Sequence, residues 1–97
     1  MDYKFYVLVS ESENSYGHDV TVSEQAYMNK KQAKAELACT YHDFIKECDR
    51  GEVGDFFEYS VDIKSMKDFT EWKVTSAIHP QFYERMRIEE VTVTIPQ

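Results

Sequence analysis

With successive residues about 100° apart, the stretch from Asn29 to Gly51 places Ala33, Leu37, Tyr41, Phe44 and Cys48 on one stripe, with Ile45 on its shoulder. Lys31, Ala35, Glu36, His42, Asp43, Lys46 and Glu47 fall elsewhere. That pattern predicts a half-buried helix of ~20 residues, ~30 Å long. Asn29 is placed to cap its start, and Gln32, three residues on, to return the bond. Met28 is in position to staple onto Ala33, and Gly51 to close the other end in the left-handed conformation.

The remaining apolar positions alternate, which predicts strands. In Tyr3 to Ser10, Tyr3, Phe5, Val7 and Val9 share one face while Tyr6 and Leu8 take the other, so this strand is apolar on both sides and suits an interior position. Glu11 to Asp19 reads as a polar turn, and Asp19 to Gln25 as a second strand with Val20 and Val22 inward. After the helix, Phe56 to Ile63 and Phe69 to Ile78 read as strands, with Trp72, Val74 and Ile78 on the core face of the latter. A turn is expected at Ser65 to Asp68, a break at His79-Pro80, and an irregular turn at Gln81 to Arg85. In Met86 to Ile95 the pair Met86 and Ile88 is out of step with Val91, Val93 and Ile95, which a β-bulge at Glu89-Glu90 would reconcile.

The order β-β-α-β-β-β with short connections predicts an α+β fold in one domain, residues 1–97. It is a two-layer, mostly antiparallel sheet of about five strands with one long helix packed on one face. Tyr6, Leu8 and Phe56 are expected on the sheet face away from the helix, as a surface for self-association into a homodimer.

Charge changes the picture in two ways. Eighteen acids against eleven bases give −7, which excludes non-specific attraction to nucleic acid or an anionic membrane and favours a basic partner. Between Asp43 and Asp62, seven acids stand against two bases, a net −5 and most of the excess. On the helix the charges oppose the macrodipole, with Lys30, Lys31 and Lys34 at the start and Glu47 and Asp49 near the end. The expected partner-binding set is Glu36, Asp43, Glu47, Asp49, Glu52 and Asp55, as a patch around the helix end. Glu58 and Asp62 belong to the opposite sheet face.

Candidate chemistry is sparse. Cys39 and Cys48 lie ~13 Å apart along the predicted helix, too far for a disulfide, and free thiols point to a reducing cytoplasm. No stretch is apolar enough to span a bilayer or act as a signal peptide. Cys39 and His42, three apart on the wet face, are the one pair suited to a thiolate or a metal. Without a second Cys or His pair or a phosphate-binding glycine loop, no metal, no cofactor and no enzymatic activity are expected, and a thiol enzyme using Cys39 and His42 is the alternative.

The leading expectation is a small non-enzymatic binding module that engages a basic surface of a protein, most concretely an inhibitor whose carboxylates replace nucleic-acid phosphates. In size and acidity the chain resembles the small inhibitors that phages and mobile elements make against host defence nucleases. That likeness is one of general character, carried by no motif, and it assigns no residue roles.

Overall fold

The computed structural model describes residues 1–64 and 68–96. Five strands, β1 (Asp2–Asn14), β2 (Gly17–Val22), β3 (Tyr59–Ile63), β4 (Glu71–Ser76) and β5 (Tyr83–Thr94), form one antiparallel sheet in the order β2-β1-β5-β4-β3. One long helix, α1 (Lys30–Asp49), connects β2 to β3 and packs over β1 and β5. The fold is α+β with a single helix on the sheet, as the apolar pattern predicts. The expected turn at Ser65 to Asp68 falls largely on residues 65–67, outside the described residues.

The helix forms where its stripe and caps say it should. Asn29 accepts the Lys31 N–H at 2.8 Å through its side chain. Gln32 contributes only its main-chain N–H, to Asn29 O, so the reciprocal half of a capping box is absent among the described residues. Met28 does not staple: it is 72% exposed, and Tyr27 packs on the core instead, bridged to Tyr6. At the other end Gly51 sits at φ 73°, with Gly51 N–H on Cys48 O and Glu52 N–H on Glu47 O, the paired bonds of a Schellman closure.

Which face of β1 meets the helix is the main correction. Leu8 lies opposite Ile88 and Ser10 opposite Met86, in the phase that also carries Tyr6, and this face points to α1. Tyr3, Phe5, Val7 and Val9 face away, as do Val20 and Val22, which are 53% and 59% exposed. The helix covers only the middle of β1. There Leu8 joins Leu37, Trp72 and Val74 in the core, while the longer apolar set runs into a β1–β5 ribbon beyond the helix. That ribbon helps stretch the molecule to 54 × 29 × 18 Å. Phe56 is likewise interior. It lies in a 3-10 turn, Gly54–Phe56, ahead of β3, and meets the Phe44 ring edge-on at 5.4 Å.

Two smaller expectations also change. The β1–β5 register runs without a break from Glu13↔Tyr83 to Asp2↔Thr94, so no bulge occurs at Glu89-Glu90. The apolar residues of β5 switch faces because the cover switches: Met86 and Ile88 lie beneath the helix, whereas Val91 and Val93 lie beyond it. In β4 the buried phase is Trp72, Val74 and Ser76, and Ile78 is 54% exposed past the strand end. Ser76 accepts the His79 N–H and donates to Asp55 O, which ties the 3-10 turn to the end of the sheet.

The outer sheet face divides in two. One half is the apolar strip just described. The other is an ionic ladder in which Arg85 pairs with Glu71 and Glu11, and Arg87 with Glu11 at 3.2 Å and Glu89 at 2.7 Å. Glu11 and Glu13, expected in a turn, are therefore strand residues; the hairpin turn is shorter, with Asn14 accepting the Tyr16 N–H at 2.8 Å and Gly17 at φ 136°.

Candidate acidic trough

Helix α1 carries opposite charges on its two flanks. About 100° per residue puts Glu36, Thr40, Asp43 and Glu47 on the flank toward β1 and β2, and Lys31, Lys34, Ala38 and His42 on the flank toward β3. Three adjoining hollows of about 190, 180 and 380 Å³ follow the first flank. They share Thr40 and Met86 at one junction and Phe44 and Glu84 at the next, so they form one trough. It begins between Tyr27 and Glu36, passes Asp43 and Glu47, and ends between the β1–β2 turn and the 3-10 turn at Glu52 and Asp55.

Among the described residues lining it there is no lysine, arginine or histidine. The sheet's lysines and arginines are engaged elsewhere: Arg85 and Arg87 in the outer-face ladder, Lys73 over the Tyr83 ring at 4.4 Å, and Lys4 with Glu90 at 3.3 Å. Five of the six expected binding residues line the trough: Glu36, Asp43, Glu47, Glu52 and Asp55. Asp49 does not. It lies on the β3 flank, where it accepts the Tyr59 hydroxyl at 2.8 Å, a bond that raises the phenol's pKa.

The sixth carboxylate of the trough is Glu84, which the apolar pattern did not single out. With Gln81 to Arg85 read as an irregular turn, its phase could not be seen. In fact β5 starts at Tyr83, and Glu84 is in step with Met86 and Ile88, so a carboxylate occupies a position on the core side. It faces Val74 across the strand pair and accepts the Ser10 hydroxyl at 3.2 Å. Burial pushes its pKa up, the Ser10 bond opposes that, and the charge of Glu47 adds to the rise. The signal in the sequence was an acid two residues before Met86 and four before Ile88, in their alternation.

Tyr16 stands at the mouth beside Glu52 and Asp55, 97% exposed. A free aromatic face among carboxylates suits a guanidinium, which it can stack while the acids bond its edge.

The other flank holds a more apolar hollow lined by Lys31, Lys34, Ala35, Ala38, Tyr41, His42, Ile63 and Phe69. His42 lines it and Cys39 does not, so the one candidate thiol–imidazole pair does not share a pocket. Cys39 is exposed. Cys48 is buried among acids, and burial first, then Asp49, Glu47 and Glu84, pushes its thiol from 9.0 up to about 11. No three His, Cys, Asp or Glu side chains among the described residues converge as metal ligands. No described helix is long and apolar enough to cross a membrane.

The chain matches no family model, no curated protein and no solved structure.

Proposed function

We propose that this protein is a small binding module that takes a basic, arginine-bearing segment of a protein partner along its acidic trough. In its most concrete form it is an inhibitor that occludes a nucleic-acid-binding surface by setting carboxylates where phosphates would lie. The observation that carries this reading is the gathering of Glu36, Asp43, Glu47, Glu84, Glu52 and Asp55 along one groove whose described lining holds no cation, while Arg85 and Arg87 are paired on the opposite face of the sheet. Stability alone does not account for the layout. Acids near the helix C-terminus and lysines at its start each cost ~0.3–1 kcal/mol, and Glu84 is half-buried beside Glu47.

Binding of a labelled oligo-arginine peptide, followed by fluorescence anisotropy, tests the reading. Affinity should fall steeply as salt rises from low to physiological strength, because exposed charge pairs are screened over ~8–10 Å. Binding that is absent at low salt overturns it.

Glu84 supplies a sharper form of the test. Its folded pKa lies above the unfolded value, so the protonated form favours folding. The stability it contributes is complete below the unfolded pKa and is lost as pH rises through the folded pKa. Glu84→Gln retains an acceptor for Ser10 and removes the charge. The variant should match the parent in thermal unfolding near pH 4 and exceed it at pH 7. At pH 7 it should also bind the peptide more weakly. Equal affinity would remove Glu84 from the site.

A further inference from the structure

Beyond Ile88, β5 runs on with no described strand on one of its sides. β4 accompanies it only from Thr75↔Tyr83 to Glu71↔Arg87, and the Ile88 N–H bonds Thr70 O at 3.0 Å just beyond. On its other side β5 stays with β1 as far as Asp2↔Thr94, with Ile95 N–H on Met1 O at 3.0 Å. Main-chain groups alternate sides along a strand. Since Ile88 points away from β1 and Ile95 toward it, Glu90, Thr92 and Thr94 turn their N–H and C=O groups to a side where no described strand receives them.

This edge also lacks the usual protection. Open edges are blunted by charge, proline or shortness. β3 has Asp62 within it and Glu58 and Lys64 at its ends, and β2 is short and opens on Gly17, His18 and Asp19. In contrast Val91–Ile95 reads VTVTI, β-branched throughout and uncharged, between Glu90, whose charge Lys4 meets at 3.3 Å, and Pro96. The ribbon it forms with β1 is two strands wide beyond the helix, and its outward residues Tyr3, Val91 and Val93 are 37%, 39% and 42% exposed. Two-stranded ribbons are marginal in water by themselves.

We propose that this edge pairs with the same edge of a second copy of the chain, antiparallel about a two-fold axis at Thr92. In that register Thr92 meets Thr92 of the second copy, Val91 meets Val93, Glu90 meets Thr94, and Glu89 meets Ile95. Every outward main-chain group of Glu90, Thr92 and Thr94 finds its counterpart. No carboxylate opposes another, and Glu90 keeps Lys4. Slipping by two residues one way sets Thr94 against Ile88, whose N–H already serves Thr70. Slipping the other way sets Glu90 against Pro96, which has no N–H to give. The geometry therefore selects one pairing, which widens the ribbon to four strands and joins the two apolar strips through Val91 and Val93.

Sedimentation velocity on the full chain over a wide concentration range tests this, with two variants. Thr92→Pro removes an outward N–H that no described group of the monomer accepts, and should weaken self-association ~30-fold or more with circular dichroism unchanged. In a Cys39→Ser background, Thr92→Cys should form an interchain disulfide on mild oxidation. Facing residues in a bonded antiparallel pair have Cα atoms ~5.5 Å apart, within disulfide range. Val61→Cys on the β3 edge and Val20→Cys on the outer face should not. A monomer at every concentration overturns the proposal, and so does a dimer that crosslinks through Val61→Cys or Val20→Cys rather than Thr92→Cys. Peptide binding in the trough is untouched by Thr92→Pro, so this proposal and the proposed function fail separately.

Discussion

Trp72→Ala is expected to destabilise the protein by ~3–5 kcal/mol, the usual cost of emptying a large aromatic site. Trp72 is 1% exposed and lies where the helix crosses the sheet. Its ring centroid is 5.8 Å from that of Phe44 and 5.9 Å from that of Tyr41, both on α1, and its Nε1–H donates to Leu37 O at 3.2 Å. No other side chain links β4 to the helix by ring packing and a hydrogen bond together among the described residues. Domains of this size hold ~5–15 kcal/mol in total, so the variant should be near the limit of folding. Trp72→Phe keeps most of the volume and should cost markedly less. Urea unfolding followed by circular dichroism measures both. A loss below ~1 kcal/mol for Trp72→Ala would mean that the helix is held elsewhere.

Reversing Asp43, Glu47, Glu52 and Asp55 together to lysine should weaken oligo-arginine binding ~100-fold or more, because four attractive contacts become repulsive and each is worth ~1 kcal/mol or less when exposed. The four residues line two adjoining sections of one trough, from mid-helix to the 3-10 turn. The change also relieves the helix end: lysine at 47 suits the negative pole of the dipole, so stability should not fall. Asp62→Lys is the control. Asp62 lies on the outer sheet face beside Lys64, Glu71, Lys73 and Arg85. That variant should leave peptide affinity within about twofold, a difference of ~0.4 kcal/mol. A loss for Asp62→Lys about a quarter as large in free energy, in proportion to its one reversal against four, would reduce the effect to net charge.

How far the sequence carries depends on how strongly each residue is tied to its neighbours. The helix was legible to within a residue, because Asn29 and Gly51 are local signals and Ala33, Leu37 and Cys48 recur at helical spacing. The number of strands and their succession along the chain followed from alternation; their order across the sheet did not. The face of β1 did not, since Tyr3 to Val9 is apolar in both phases and the choice rests on the β5 register and on how far the helix reaches. The same reach explains the phase change in β5 that imitated a bulge. In the trough, Glu36, Asp43 and Glu47 were legible as one helix flank, and Glu52 and Asp55 as the loop that follows. Asp49 was grouped with them by sequence proximity, although helical geometry turns it to the lysine flank. Glu84 depends on where β5 starts, which only its alternation with Met86 and Ile88 marks.

Where a basic segment lies on the protein decides whether the trough is its binding site. Isotope-labelled protein titrated with oligo-arginine and followed by amide chemical shifts reads that position directly. Shifts should trace one line: Glu36 and Thr40, then Asp43 and Glu47, then Glu84, and finally Glu52, Asp55 and the Asn14–Gly17 turn. The outer-face residues Asp62, Glu71 and Glu11 should stay in place. Shifts concentrated on that outer face, or scattered over every exposed acid, would contradict a trough built to receive the segment.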